Sequence, residues 1–185
     1  LDGRSSEWGW SWADVAADMF GTGLFAMQEL GWGEQRIQLK FSAHPKTYKP
    51  SMIQQRANDL FGKTIPERLL KDYNQQTYWL SFNLRSVLQS KKLPAWLNIA
   101  VGYGAEGMYG GYENLAFDKN GDISFDRRDI KRYRQWYLAP DIDLTKIKTN
   151  SSVLRSLFSI ANIIKVPAPA LQFSNGKFSV VGIAF

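Results

Sequence analysis

The hydrophobic positions of this chain first follow a helical period. Val15, Met19, Phe20, Leu24 and Met27 recur at helix spacing through residues 11–30. Ser11 stands as an N-cap with Asp14 three residues later, and Gly31 and Gly33 end the run. Ala13, Ala16, Ala17, Gly21 and Gly23 give this helix small sides, which let a neighbouring helix approach closely. Ile37, Leu39 and Phe41 then alternate with Gln38, Lys40 and Ser42, predicting a short strand. Ser51 caps a polar helix to about Phe61, stopped by Gly62, and Pro66-Glu67-Arg68 opens another helical turn.

The middle of the chain fits two periods. Tyr78, Leu80, Phe82 and Leu84 alternate like a strand, whereas Leu80, Leu84, Val87 and Leu88 fit a helix; Asn74 as a cap and the length favour a helix over 78–88. Pro94 at a first-turn position predicts a helix over 95–102. Residues 104–122, rich in Gly, Tyr and Asn, read as loop with a tight turn at Asn120-Gly121. Tyr133 to Ile142 reads as extended. Ser151 or Ser152 caps an amphipathic helix through Ile164, closed by Pro167 and Pro169, and Asn175-Gly176 joins the two strands of a terminal hairpin. The expected architecture is one α+β domain over residues 1–185. It is helix-rich in its N-terminal half, with small-residue helix packing, extended segments and a C-terminal β-hairpin.

Composition narrows the chemistry. A chain of 185 residues buries roughly 70% of its unfolded surface and folds without staples. Seven Trp, eight Tyr and eleven Phe suit either a large aromatic core or a surface apolar at one end and wet at the other. The absence of Cys excludes a thiolate nucleophile, a disulfide framework and a Cys-based metal site. The best apolar run, Met19 to Met27, falls short of the roughly 20 residues of a spanning helix. Residues 1–35 hold six acids and one base (−5), residues 36–185 hold 22 bases and 11 acids (+11), and the chain totals +6. A basic body favours anionic partners.

The stretch Gly9-Trp10-Ser11-Trp12-Ala13-Asp14-Val15-Ala16-Ala17-Asp18-Met19-Phe20-Gly21 resembles the YfiM-like family of periplasmic lipoproteins, a domain of unknown function. The resemblance implies a helix with an Asp, a second Asp or Asn four residues on, and then a Gly, here Asp14, Asp18 and Gly21. A longer form found in Bacteroidota is similar over most of the chain. It is carried by Leu70-Lys71-Asp72-Tyr73-Asn74, Gln76-Thr77-Tyr78-Trp79-Leu80-Ser81, Trp96 to Gly104, Pro140-Asp141-Ile142-Asp143-Leu144 and Pro167-Ala168-Pro169-Ala170-Leu171. Family members carry an Asp-Lys and a His in helices upstream of the motif. The upstream helical part is therefore expected to be missing here, and a polar site built from both halves would be incomplete.

Four constellations could carry chemistry. Glu7, Asp14, Asp18 and Gly21 form the family's polar cluster. Without His or Cys it suits only a hard cation or an acid–base pair, and a structural cluster is the expectation. Gly102-x-Gly104-x-x-Gly107 matches a dinucleotide fingerprint literally, but no βαβ unit surrounds it and close backbone packing is expected instead. Asp118-x-Asn120-x-Asp122 reads as a turn because Gly121 and Asp129 are misplaced for a calcium loop. Arg127, Arg128, Lys131, Arg132 and Arg134 form a candidate anion-binding patch for lipid phosphate. His44 reads as structural, and no catalytic residue, metal or cofactor is assigned.

The terminal stretch Phe178 to Phe185 alternates and ends in an aromatic, as outer-membrane barrels do. Too few strands are predicted for a barrel, so a hairpin that packs on helices or extends another protein's sheet is expected. The functional expectation is a non-catalytic envelope protein in the periplasm, docking on or plugging an outer-membrane complex or barrel such as a type IX secretion translocon. An envelope enzyme using Asp14 and Asp18 and an anionic-lipid-binding module are the alternatives, and no nucleic-acid partner is expected.

Overall fold

The computed structural model describes residues 12–184. The chain divides into two compact units, Leu1–Gln38 and Leu39–Phe185. In the first, helix α1 (Trp12–Trp32) follows the predicted period and ends at Gly33, whose φ of 64° lets its N–H return to the Glu29 carbonyl. The buried Gln28 amide then fixes the exit of the chain. Its Oε1 accepts from the N–H groups of Arg36 and Ile37 at 2.9 and 2.7 Å, and its Nε2 donates to the Ile37 carbonyl at 2.8 Å.

The second unit is mixed α+β. Strand β1 (Ile37–Ala43) leads into helices α2 (Ser51–Phe61) and α3 (Ile65–Lys71), then strand β2 (Gln76–Asn83). A single turn, α4 (Leu84–Val87), connects β2 to β3 (Leu97–Glu106). A small hairpin, β4 (Leu115–Phe117) and β5 (Ile123–Asp126), precedes the long β6 (Tyr133–Ile142). Helix α5 (Ser152–Ala161) and the predicted hairpin, β7 (Ala168–Ser174) and β8 (Lys177–Ala184), complete it. Six strands form one sheet in the order β1-β2-β3-β6-β7-β8, and the pairs from β2 onwards are antiparallel.

Two helix expectations fail. Residues 78–88 are mostly β2, with only α4 helical, and 95–102 lie in β3. Asn74, read as a helix cap, instead bonds Asp72 and the backbone of Met108. Pro94 closes the β2–β3 connection, its carbonyl accepting from Leu97 N–H. Tertiary pairing decides both segments: Leu80, Val101 and Leu138 stand in direct register across β2, β3 and β6. Gly and Ala alternating with β-branched and aromatic residues in β3 also make a poor helix. Ser51 is the first residue of α2 and no side chain caps it, whereas Thr64 and Glu67 make a full capping box on α3. The sheet also corrects the strand count, since the terminal hairpin joins four further strands.

Two apolar clusters organise this unit. One packs Ile53, Ala57 and Phe61, at i, i+4 and i+8 of α2, against Tyr48, Tyr109 and Phe125. The other is small, with Ala100, Ala139, Ala170 and Ala184 from successive strands gathered around Trp79.

Candidate functional site

Strands β2, β3, β6 and β7 alternate, but in the sense opposite to a water-exposed sheet. Inward-facing positions are Thr77, Trp79, Ser81 and Asn83 on β2, Asn98, Ala100, Gly102 and Gly104 on β3, and Ala139 and Asp141 on β6, all buried. Outward positions are Tyr78, Leu80 and Phe82, then Ile99, Val101 and Tyr103, then Trp136 and Leu138, then Leu171 and Phe173, then Phe178 and Val180. Antiparallel sheets facing water bury the apolar set and solvate the polar one. Here Phe178 is 80% exposed while Ser81 and Asp141 are 0% and 2% exposed.

The sheet rolls around its polar face. Lys40 on β1 meets Asp141 on β6 at 2.9 Å, with neither side chain exposed. Flat, these strands would lie about 14 Å apart, at about 4.8 Å per strand. Ser81 Oγ donates to Asp141 Oδ2 at 2.6 Å, Asn98 Nδ2 donates to Ser81 Oγ at 2.9 Å, and Asn83 Nδ2 donates to Asn98 Oδ1 at 2.8 Å. Lys40 also donates to the Ile142 carbonyl, and Asp141 Oδ1 accepts from Val166 N–H. Lys165 lies with its ammonium 4.6 Å from the Trp79 ring centre. Trp79 Nε1 donates to Ser42 Oγ at 2.8 Å. Each polar group here has a partner, which is what burial of charge demands.

Tight rolling requires an interior of small residues. A Cβ on Gly102 would stand 2.7 Å from the Trp79 ring, and one on Gly107 would meet the Lys131 carbonyl oxygen at 2.4 Å. Gly102 and Gly104 lie within β3, so the glycine triplet serves close packing.

The outward face is ordered by level. Tyr78, Tyr103, Trp136, Phe173 and Phe178 are direct partners across β2, β3, β6, β7 and β8. Phe41 on β1 joins the row through its ring, 5.6 Å from that of Tyr78. Tyr103–Trp136 and Phe173–Phe178 are in ring contact at 4.9 and 4.8 Å. Each strand therefore contributes one ring to a continuous aromatic line. Beside it runs an aliphatic line in the same register: Leu80, Val101, Leu138, Leu171 and Val180. Beyond the aromatic line the next outward residue of β6 is the exposed Arg134. From Tyr103 to Leu97 the apolar face of β3 spans seven residues, about 20 Å.

The expected sites land elsewhere. Glu7 lies outside the described residues, as does the side chain of Asp14; Asp18 is exposed and Gly21 partly exposed on α1. A Cβ at Gly23 would meet nothing within 4 Å. Among the described residues no group of three His, Asp or Glu could hold a metal ion. In the basic patch, Arg127 and Arg128 form two-point ion pairs with Asp129 and Asp126, and Arg132 donates to the Gly111 and Tyr112 carbonyls. Lys131 and Arg134 are exposed. Asp118 Oδ1 accepts the N–H groups of Asn120 and Asp122, the expected turn.

A second buried acid orders the far end of the unit. Asp72 accepts from Tyr48 Oη at 2.7 Å, Gln75 Nε2 at 2.7 Å and Arg68 Nη1 at 3.1 Å. Burial, reinforced by Asp72, drives the Tyr48 phenol far above its ordinary pKa.

No protein-family model, curated protein or solved structure matches this chain. The likeness to YfiM-like proteins rests on the residues quoted for it. Sequence reasoning missed Lys40, Trp79, Ser81 and Asp141 as one polar interior. The period-two pattern of Trp96 to Gly104, apolar residues alternating with Asn, Ala and Gly, was the available clue.

Proposed function

We propose that this chain is a non-catalytic protein of the bacterial envelope whose rolled sheet sits in the outer membrane, its apolar face toward lipid. The carrying observation is the aromatic line, one ring from each of six strands at one level of an outward apolar face. Membrane β-proteins place such girdles where acyl chains give way to headgroups, with polar residues turned inward. The polar interior supports the same reading, because side chains that cannot face lipid are mutually satisfied there. No helix among the described residues is long and apolar enough to cross a membrane. The expectation of docking on an outer-membrane protein complex extends naturally from this position, with the same face meeting a barrel wall.

Flotation tests the reading. Purified chain reconstituted into phospholipid vesicles is expected to float with them and to resist alkaline carbonate extraction. Leu138→Arg, at the middle of the apolar face, is expected to cost about 2–4 kcal/mol of stability in the bilayer and to shift protein to the aqueous fraction. A wild-type chain that is monodisperse in buffer without detergent and does not float would defeat the reading. Flotation only in the presence of an outer-membrane protein fraction would point to the barrel-docking form instead.

A further inference from the structure

The end of the sheet opposite the aromatic line carries α4 and α5, and its chemistry is one-sided. Residues 84–97 join β2 to β3, and residues 143–167 join β6 to β7. The two connections lie side by side, since Leu97 pairs with Ile142 and Asp143 N–H bonds the Trp96 carbonyl at 2.9 Å. Helix α5 has no buried residue. Val153, Leu157 and Ile160 recur along one side and are exposed, whereas Ser152, Arg155, Ser156 and Ser159 occupy the other. Next to it Val87, Leu88 and Trp96 are also exposed. Both connections are basic. Arg85, Lys91, Lys92, Lys148 and Arg155 are exposed, and the acid in these segments is Asp143, which is fully buried.

We infer that this end docks in the headgroup layer of an anionic leaflet. Helix α5 lies in the plane of the membrane with its apolar side down, and the surrounding bases meet lipid phosphate. A helix with an unburied apolar side and a basic, acid-free rim is the pattern of interfacial helices. Basic residues beside a membrane gain from anionic lipid specifically. The apolar face of the sheet, about 20 Å tall from Tyr103 to Leu97, is shorter than the about 25 Å of a typical membrane barrel, and α5 with Trp96 supplies apolar surface at the short end. This assignment rests on the membrane reading of the sheet. It transfers the anion-binding role from residues 127–134, where Arg127, Arg128 and Arg132 are engaged within the protein, to the opposite end.

The chain has no Cys, so a single introduced thiol reports one place. An environment-sensitive dye is attached to Ile160→Cys or, separately, to Val180→Cys in the full chain. Quenching by brominated phospholipid is then measured in vesicles of phosphatidylcholine with and without anionic phosphatidylglycerol. The expected result is quenching at both positions, with that at 160 at least two-fold stronger in anionic vesicles. Joint replacement Lys91→Gln, Lys92→Gln and Lys148→Gln is expected to remove that difference while leaving position 180 unchanged. Quenching at 180 but not 160 overturns the docking of α5 and leaves the sheet reading intact. Equal quenching at 160 in both lipids overturns the anionic assignment. No quenching at either position removes the membrane reading and this inference with it.

Discussion

The two apolar clusters of the second unit obey opposite rules. Around α2, Phe61, Ile53, Tyr109 and Phe125 turn inward, as water requires, and the charges buried beside them, Arg68 and Asp72, are paired at 3.1 Å. In the sheet, the large apolar residues other than Trp79 turn outward and Lys40 and Asp141 turn inward. On the proposed membrane reading, one continuous chain sorts its side chains for two different surroundings. The boundary between them lies near Arg134 and Glu106, where the outward apolar positions end and Lys46, Glu106 and Gln135 form a polar rim. Burial alone therefore does not say what solvent a surface was selected for; the identity of the excluded set does.

The strongest way to break this comparison is to remove a charge from the rolled interior. Asp141→Ala leaves Lys40 without its counter-charge and the Ser81 hydroxyl proton without its acceptor, and is expected to lower stability by about 3–5 kcal/mol in denaturant unfolding. The double change Lys40→Met with Asp141→Leu is expected to recover much of that loss. If Asp141→Ala unfolds like wild type, the interior is wet and the comparison fails. Phe61→Ala empties the conventional core and is expected to cost about 3–5 kcal/mol in detergent and bilayer alike. Leu138→Arg, by contrast, is expected to cost its full amount only in lipid, so measuring both variants in both hosts separates the two regions. Gly102→Ala forces a methyl toward the Trp79 ring and is expected to cost about 1–3 kcal/mol, with a change in Trp near-ultraviolet dichroism.

The smallest expected effect comes from pH. The Thr64 backbone N–H, then its hydroxyl, hold the Glu67 carboxyl below its ordinary pKa. A group depressed in the folded state contributes stability above its unfolded pKa, about 4.3, and loses it as pH falls through the lower folded value. A slight fall in melting temperature is expected below about pH 4.5, smaller in Glu67→Gln, which removes the titrating carboxyl.

The helical elements were legible from period in α1 and α5 and from Pro66-Glu67-Arg68 in α3, the expected cap at Ser11 lying outside the described residues, and so was the terminal hairpin, whose Asn175-Gly176 turn takes positive φ at both residues. Strand β2 was misread because a leucine set at 80, 84 and 88 satisfies both periods, and β3 because Pro94 suits the first turn of a helix; only the register with neighbouring strands separates the readings. The interior network was illegible for a different reason. Lys40, Ser81, Asn98 and Asp141 are scattered over about a hundred residues and look like ordinary surface polarity until the sheet rolls. The aromatic line needed the register, which no single strand contains.

The meander has a consequence for how the molecule is made. Strands β2 with β3, and β7 with β8, are joined by short connections and can zip as local hairpins, whereas β6 must find β3 across residues 107–132. Closing that loop is the entropically slow event. Asn114, bridging the Gly107 and Ile130 carbonyls at 2.8 and 3.1 Å, fastens its two ends together, so the excursion that interrupts the sheet also carries the clasp that brings β6 into register.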